Sequence, residues 1–286
     1  MPLEAHGTGN SPPSHDENGL HFSDRAHDDQ VRAGMCRVLG SVAAEPVSLR
    51  HELLEAANPL IRPQAADEEG WGIASYRRAE GEEPICTRFT HAHDAATSGA
   101  AVTEARLHNA HARRPTVGDR SDANTHPFCL GPYTFSHNGT ILNISRLENV
   151  EPCSGETDSE RLFRLVMHHL DANDPTDGLR YAVRATIERF PFSSLSFLFS
   201  DGEKLYAYRL GLCELHWLAR PHGQLLVASE PVTGEDETWH SVKQDVLLVL
   251  DPREPDQPHA ERLIGDAVLA SADIRELDQA AQTQTA

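Results

Sequence analysis

The order of elements in this chain predicts an α+β fold of antiparallel sheets with helices packed outside them. Three observations carry that reading. Strand-like segments come first, two helix-like segments follow back to back, and strand-like segments resume, whereas a doubly wound parallel sheet requires strict alternation. Asp201-Gly202, a turn pair that accepts positive φ, separates two apolar runs as in an antiparallel hairpin. No internal repeat and no glycine-rich phosphate loop interrupts the series.

Residues 1–34 read as a disordered tail. The stretch GTGNSPPSHDENG is rich in Gly, Pro, Ser and Asn, and so little apolar content cannot offset the entropy of ordering. The character changes at Met35, and residues 35–286 read as the folded domain. CRVLGSVA is apolar and β-prone, a first strand. SLRHELLEAANPL has helical spacing of apolar residues and ends before Pro59. WGIASY and ICTRF follow as strands, then the apolar block ARLHNAHAR, which runs into the loop RRPTVGDRSDANTHPF. YTFSHNGTI reads as a strand, a glycine turn and the start of the next element. TDSERLFRLVMHHL and DGLRYAVRATIERF are the consecutive helices. LSFLFS and EKLYAYRL form the hairpin, QLLVASE and DVLLVLD are later strands, and residues 276–286 are polar and frayed.

Hydrophobic residues make up 39% of the 286 positions, enough to bury a core. The formal net charge of −19 argues against nucleic acid, whose phosphates are bound by clustered Lys and Arg. No apolar run approaches the ~18 residues of a membrane span, and no N-terminal signal for secretion is evident. The five cysteines, Cys36, Cys86, Cys129, Cys153 and Cys213, are odd in number and widely spaced. That spacing indicates neither a zinc site nor a disulfide framework, and a reducing cytoplasm is the simplest compartment. Among 17 histidines, His91/His93 and His168/His169 are the densest clusters. Neither has a nearby ligand pattern, so no metal and no cofactor is expected.

Four separated blocks carry candidate chemistry, each beside a bland alternative. Cys36 heads an apolar strand and reads first as a small buried residue. Met35 before it changes the reading. Removal of that methionine leaves a cysteine whose free amine, with a reference pKa of about 7.7–8.0, takes the thiol proton, so one residue supplies nucleophile and base. Arg113, in HARRPTVG, is either a surface residue or a bidentate carboxylate binder, with Thr116 and Gly118 shaping its loop. His137-Asn138-Gly139 is either a turn or an oxyanion hole made of the Asn138 side-chain amide and the Gly139 N–H. Thr157-Asp158-Ser159-Glu160 fits a capping box, with Asp158 in the first helical turn. Alternatively, Asp158 binds a substrate ammonium group. Together these parts fit a ligand with an amide at one end and an amino-acid head at the other, as in glutamine or a γ-glutamyl amide.

The blocks MCRVLG, EGWGI, HARRPTVG, NTHPF, HNGT and GETDSE resemble, in the same order, those of class II glutamine amidotransferases, whose glutaminase domains are N-terminal-nucleophile hydrolases. The resemblance runs from Met35 to about Val242, where ASEPVTGEDETW looks like the short stand-alone members. It implies a four-layer αββα sandwich, Cys36 as nucleophile, Asn138 and Gly139 as oxyanion hole, and Arg113 and Asp158 as glutamine ligands, with Thr116 beside them. Val117 stands where the family often carries histidine. The family also needs cysteine first, so residues 1–34 are expected to lie upstream of the true start or to be removed. Family members with synthase activity carry an acceptor domain after the glutaminase domain, and this chain ends too soon for one. Two outcomes follow for an enzyme: hydrolysis of glutamine or a γ-glutamyl compound, or delivery of ammonia to a separate synthase partner. The competing class is a catalytically inactive subunit that keeps the fold and binds a γ-glutamyl ligand or a partner.

Overall fold

The computed structural model describes residues 36–62, 70–78, 82–91, 98–113, 119–147, 150–171, 174–234, 236–254 and 256–275. Two antiparallel sheets lie face to face. The first runs in the order β11-β9-β10-β1-β4-β2-β3, from β1 (Arg37–Val47), β2 (Gly70–Tyr76), β3 (Ile85–Phe89), β4 (Ala105–Arg113), β9 (His216–Arg220), β10 (Gln224–Ala228) and β11 (His240–Ser241). The second runs β13-β12-β8-β7-β6-β5, from β5 (Phe128–Leu130), β6 (Tyr133–Asn138), β7 (Ser196–Ser200), β8 (Leu205–Arg209), β12 (Val246–Leu250) and β13 (His259–Arg262).

Period-two alternation divides the core into three slabs. Val38, Val42, Leu107, Leu225 and Val227 of the first sheet meet Leu198, Leu205, Ala207 and Leu248 of the second. The alternate residues of the first sheet, Leu39, Trp71, Ile73, Ala110 and Leu226, pack outward under Leu49, Leu53, Leu60 and Ile61. Those of the second, Phe135, Phe197, Phe199 and Tyr208, pack under α1 (Asp158–His168) and α2 (Pro175–Ile187). A short α3 (Asp266–Leu269) follows the last strand. The chain is thus an αββα sandwich with unequal outer layers. Polar ties also cross the gap between the sheets: the Tyr76 hydroxyl donates to Pro132 O at 2.7 Å, and Asn109 Nδ2 to Thr134 Oγ1 at 3.3 Å.

The two long helices form where their caps and apolar stripes dictate. Thr157 Oγ1 accepts from Glu160 N at 3.2 Å and Asp174 Oδ1 from Thr176 N at 3.0 Å, and Pro175 opens α2. Only half of the expected capping box is built. The Glu160 carboxylate accepts from Ser154 N and Gly155 N, at 2.7 and 2.8 Å, and so pins the approach to the helix.

Three sequence expectations need correction. SLRHELLEAANPL forms a single π-helical turn, His51–Glu55, and not an α-helix. Its later carbonyls are drawn off: Arg37 donates to Pro59 O, to Leu60 O at 3.0 Å and to Asn58 O at 3.2 Å. Arg220 Nη1 donates to Glu52 Oε1 at 2.6 Å, fixing the turn onto the sheet. The hairpin between β7 and β8 has a four-residue loop, because Ser200 pairs with Leu205. Asp201 Oδ1 accepts there from Glu203 N and Lys204 N. Finally, Cys86 and Cys129 are joined in a disulfide with an S–S distance of 2.08 Å. Cys86 lies on β3 and Cys129 on β5, the edge strands of the two sheets. Facing edges are invisible in a sequence separation of 43 residues, so cysteine spacing carries no inference about compartment. Among the described residues no helix is long and apolar enough to cross a membrane, and no cluster of three or more ligating side chains suits a metal ion.

Candidate active site

The sequence-predicted residues come from the ends of three strands and the start of one helix. Cys36 immediately precedes β1 and is partly exposed. In the β1–β4 register Arg37 pairs with Ala112, so one further step sets Cys36 across from Arg113, the last residue of β4. Arg113 is buried, and its Nη1 donates to Asp119 O at 2.9 Å. Burial holds its guanidinium below the usual range, while the charges of Cys36, Asp119 and Asp158 oppose that shift.

Asn138 ends β6 and is buried. Gly139 follows with φ of +153°. A Cβ built on Gly139 would lie 2.1 Å from the Ser194 carbonyl oxygen, so the backbone can pass there only without a side chain. The segment is then clamped: Thr140 N donates to Ser193 Oγ at 3.0 Å, and Ile141 N to Asp158 Oδ2 at 2.7 Å. That bond brings the first turn of α1 onto the Asn138-Gly139 strand end. Burial raises the Asp158 carboxyl above the ordinary Asp range, against the opposing effects of His137 and of backbone N–H donors. A small cavity beside Asp158 is lined by Thr140–Ser145, Glu156 and Arg161.

Five of the six candidates, Cys36, Arg113, Asn138, Gly139 and Asp158, thus converge at one end of the sandwich. Thr116, with Val117 and Gly118, lies outside the described residues.

Sequence reasoning quoted three histidines inside its motifs and gave them no role. His111, His126 and His137 form a buried cluster behind the strand ends. The rings of His111 and His126 are 4.1 Å apart, and His111 Nε2 faces the His137 carbonyl at 3.3 Å. His137 Nδ1 lies 2.9 Å from Ser159 Oγ, and its Nε2 lies 3.0 Å from Ser194 O. Burial lowers all three, His111 to about 3 and His126 well below the usual histidine value, so the cluster is neutral at pH 7. The available signal was their position in HARR, NTHPF and HNG, within two residues of a candidate or of a proline.

Such a site can bring a thiol, a pair of oxyanion donors, a guanidinium and a carboxylate to a ligand that is an amide at one end and a zwitterion at the other. The family model for class-II glutamine amidotransferases matches residues 35–230. YafJ of Escherichia coli strain K12, whose name places it among the glutamine amidotransferases, is 29% identical over 255 residues, covering 73% of this chain and 94% of its own. A glutamine aminotransferase class-II domain protein from Silicibacter pomeroyi superposes with a TM-score of 0.59 at 21% identity, over 81% of this chain and all of that one. The glutamine phosphoribosylpyrophosphate amidotransferase of B. subtilis superposes with a TM-score of 0.58 at 17% identity, over 81% of this chain and 50% of that one. The last two likenesses establish the fold.

Proposed function

This chain belongs to the class-II glutamine amidotransferases, and on that footing we propose that it hydrolyses the γ-amide of glutamine or of a γ-glutamyl compound through a γ-glutamyl thioester on Cys36. The observation that supports the proposal is the β1–β4 register, which sets Cys36 across from Arg113, together with the Ile141 N–Asp158 bond that brings the start of α1 onto the Asn138-Gly139 strand end.

In the proposed mechanism the mature protein begins at Cys36. Its free amine takes the thiol proton, and the sulfur attacks the amide carbon. The Asn138 amide and Gly139 N–H hold the oxygen as it gains charge. The carbon–nitrogen bond breaks, and the protonated amine supplies the proton to the leaving ammonia or amine. Water, deprotonated by the same amine, then attacks the thioester and releases glutamate and the thiol. Arg113 holds the α-carboxylate and Asp158 the α-ammonium, with Thr116 in the arginine loop. The reaction needs no cofactor. Ammonia passes to water or to a separate synthase partner. While residues 1–35 remain attached, the Cys36 nitrogen is an amide and cannot act as base; in that form the chain is a binding subunit.

The test compares the 286-residue chain with a version starting at Met35, by intact mass and by release of ammonia from glutamine and amines from γ-glutamyl compounds. Activity should appear only where mass places Cys36 first. Full turnover by a chain that keeps Met1 would overturn the N-terminal amine mechanism. A version beginning at Cys36 that is folded and inert on all these substrates would leave the non-catalytic reading.

A further inference from the structure

The oxyanion strand and the helix that carries Asp158 are tied together by one buried imidazole. His137 directly precedes Asn138, and Ser159 directly follows Asp158. The bond between them, 2.9 Å from Nδ1 to Oγ, therefore joins the two neighbours of the two functional side chains. The same ring reaches a third segment through Nε2, 3.0 Å from Ser194 O. A carbonyl oxygen only accepts, so Nε2 carries the hydrogen and Nδ1 accepts from the Ser159 hydroxyl. His137 and Ser159 are both buried, and the charge of Asp158 favours protonation of the ring less than burial opposes it. The ring is thus held in one tautomer with both nitrogens occupied.

We infer that His137 is a positioning residue that fixes the span between the oxyanion donors at Asn138-Gly139 and the Asp158 carboxylate, and thereby selects a γ-amide over the shorter β-amide. The inference rests on the function proposed above. A substrate that must touch both ends is measured by that span. Asparagine is one methylene shorter, by roughly 1.3 Å at ordinary carbon–carbon distances, and an error of about 1 Å in reactant placement costs about 10²-fold in rate. A rigid span therefore discriminates, and a loosened one loses its preference. Two further contacts limit how far the span relaxes when the ring is released: Ile141 N on Asp158, and Thr140 N on Ser193.

The experiment measures kcat and KM for L-glutamine and L-asparagine in the form of the protein that turns over glutamine, with wild type, Ser159→Ala and Ser159→Thr. Removing the hydroxyl should lower kcat/KM for glutamine about 10–100-fold, mostly through kcat. It should lower that for asparagine far less, so that the preference shrinks about tenfold. Threonine keeps the donor and should restore the preference. Equal losses on both amides in Ser159→Ala, or none, overturn the inference while leaving the proposed function standing. A wild type inert toward glutamine and γ-glutamyl amides overturns both. Nitrogen-15 NMR of the wild type supplies a readout that does not depend on turnover or on a variant's folding. A His137 ring protonated at Nδ1 and bare at Nε2 would overturn the assignment.

Discussion

Replacing Gly139 by alanine tests the oxyanion geometry without removing any functional group. The new Cβ would meet Ser194 O at 2.1 Å, Ser194 C at 2.7 Å and His137 Nε2 at 3.0 Å. Backbone atoms cannot swing aside as a rotamer does, and the Ser193-Ser194 backbone is already braced from its other side: a Cβ on Gly211 would meet Ser193 O at 2.5 Å and Ser194 Cα at 2.8 Å. The collision therefore moves the Asn138-Gly139 strand end. Overpacking costs about 1–3 kcal/mol, and a side chain at φ of +153° adds about 1–3 kcal/mol of strain. A central value of about 4 kcal/mol lowers Tm by about 8–16 °C for a domain of this size. Turnover of glutamine should fall at least about 10²-fold, because the donors no longer face the developing oxyanion. Calorimetry and an ammonia-release assay read the two effects. Gly131→Ala is the control, since Gly131 has φ of +56° and open space around it; it should cost about 1–2 kcal/mol and leave kcat unchanged. A Gly139→Ala protein with wild-type Tm and kcat would refute the close-approach argument.

Asn138→Ala should lower the acylation rate by about 10²–10³, equivalent to about 2.7–4 kcal/mol, with KM nearly unchanged; stopped-flow acylation kinetics check this, and a rise in KM alone would make Asn138 a binding residue. A glutamine-derived diazoketone should label Cys36 and not Cys153 or Cys213 by peptide mass mapping, and Cys36→Ala should abolish both labelling and turnover. Asp158→Asn should lose most of the penalty that blocking the substrate's α-amine imposes on wild type; an unchanged penalty would leave Asp158 a helix-terminus residue. Acid should destabilise the fold through its buried histidines. Burial lowers His108 to about 4 and His111 to about 3, so the unfolded chain, with histidines near 6.5, binds more protons below that pH. Their contribution is complete above about pH 6.5 and is lost as pH falls toward 4, by up to about 1.4 kcal/mol per pH unit for each histidine. Urea unfolding at pH 7 and pH 5 measures the slope, which His111→Gln should reduce.

The layer order and the convergence of the motif blocks were legible in the sequence because both rest on local pattern. Phe135, Phe197 and Phe199 reach the helix-facing slab in period-two alternation, with Leu198 turned toward the other sheet, and Thr157 caps the helix it was read to cap. The failures share a different cause, long-range contact. The π-helical turn at His51–Glu55 gives way to a tether that Arg37 makes to residues 58–60, more than twenty positions later. The Cys86–Cys129 bond depends on two sheet edges meeting. The histidine cluster joins β4, the segment before β5, and β6, so no single window displays it. Short strands such as β9, β11 and β13 are exposed or half-buried along much of their length, and their hydrophobic period is correspondingly faint.

The electrostatics of the site bear on the proposed ligand in one further way. Burial disfavours the charged form of both groups that would read the amino-acid head: it raises the Asp158 carboxyl and lowers the Arg113 guanidinium. The Ile141 N–H on Asp158 and the Asp119 carbonyl on Arg113 offset part of that desolvation. A ligand with a single charge would relieve one group and bury its own charge against the other's field. A zwitterion serves both at once, its ammonium facing Asp158 and its carboxylate facing Arg113. Discrimination against substrates with a blocked amine or an esterified carboxylate should therefore be steep, because each blocked end loses a charge-assisted contact made inside a desolvated site. By the same reasoning, binding should weaken on acidification at a pH above the ordinary Asp range, as Asp158 protonates and the ammonium loses its counter-charge.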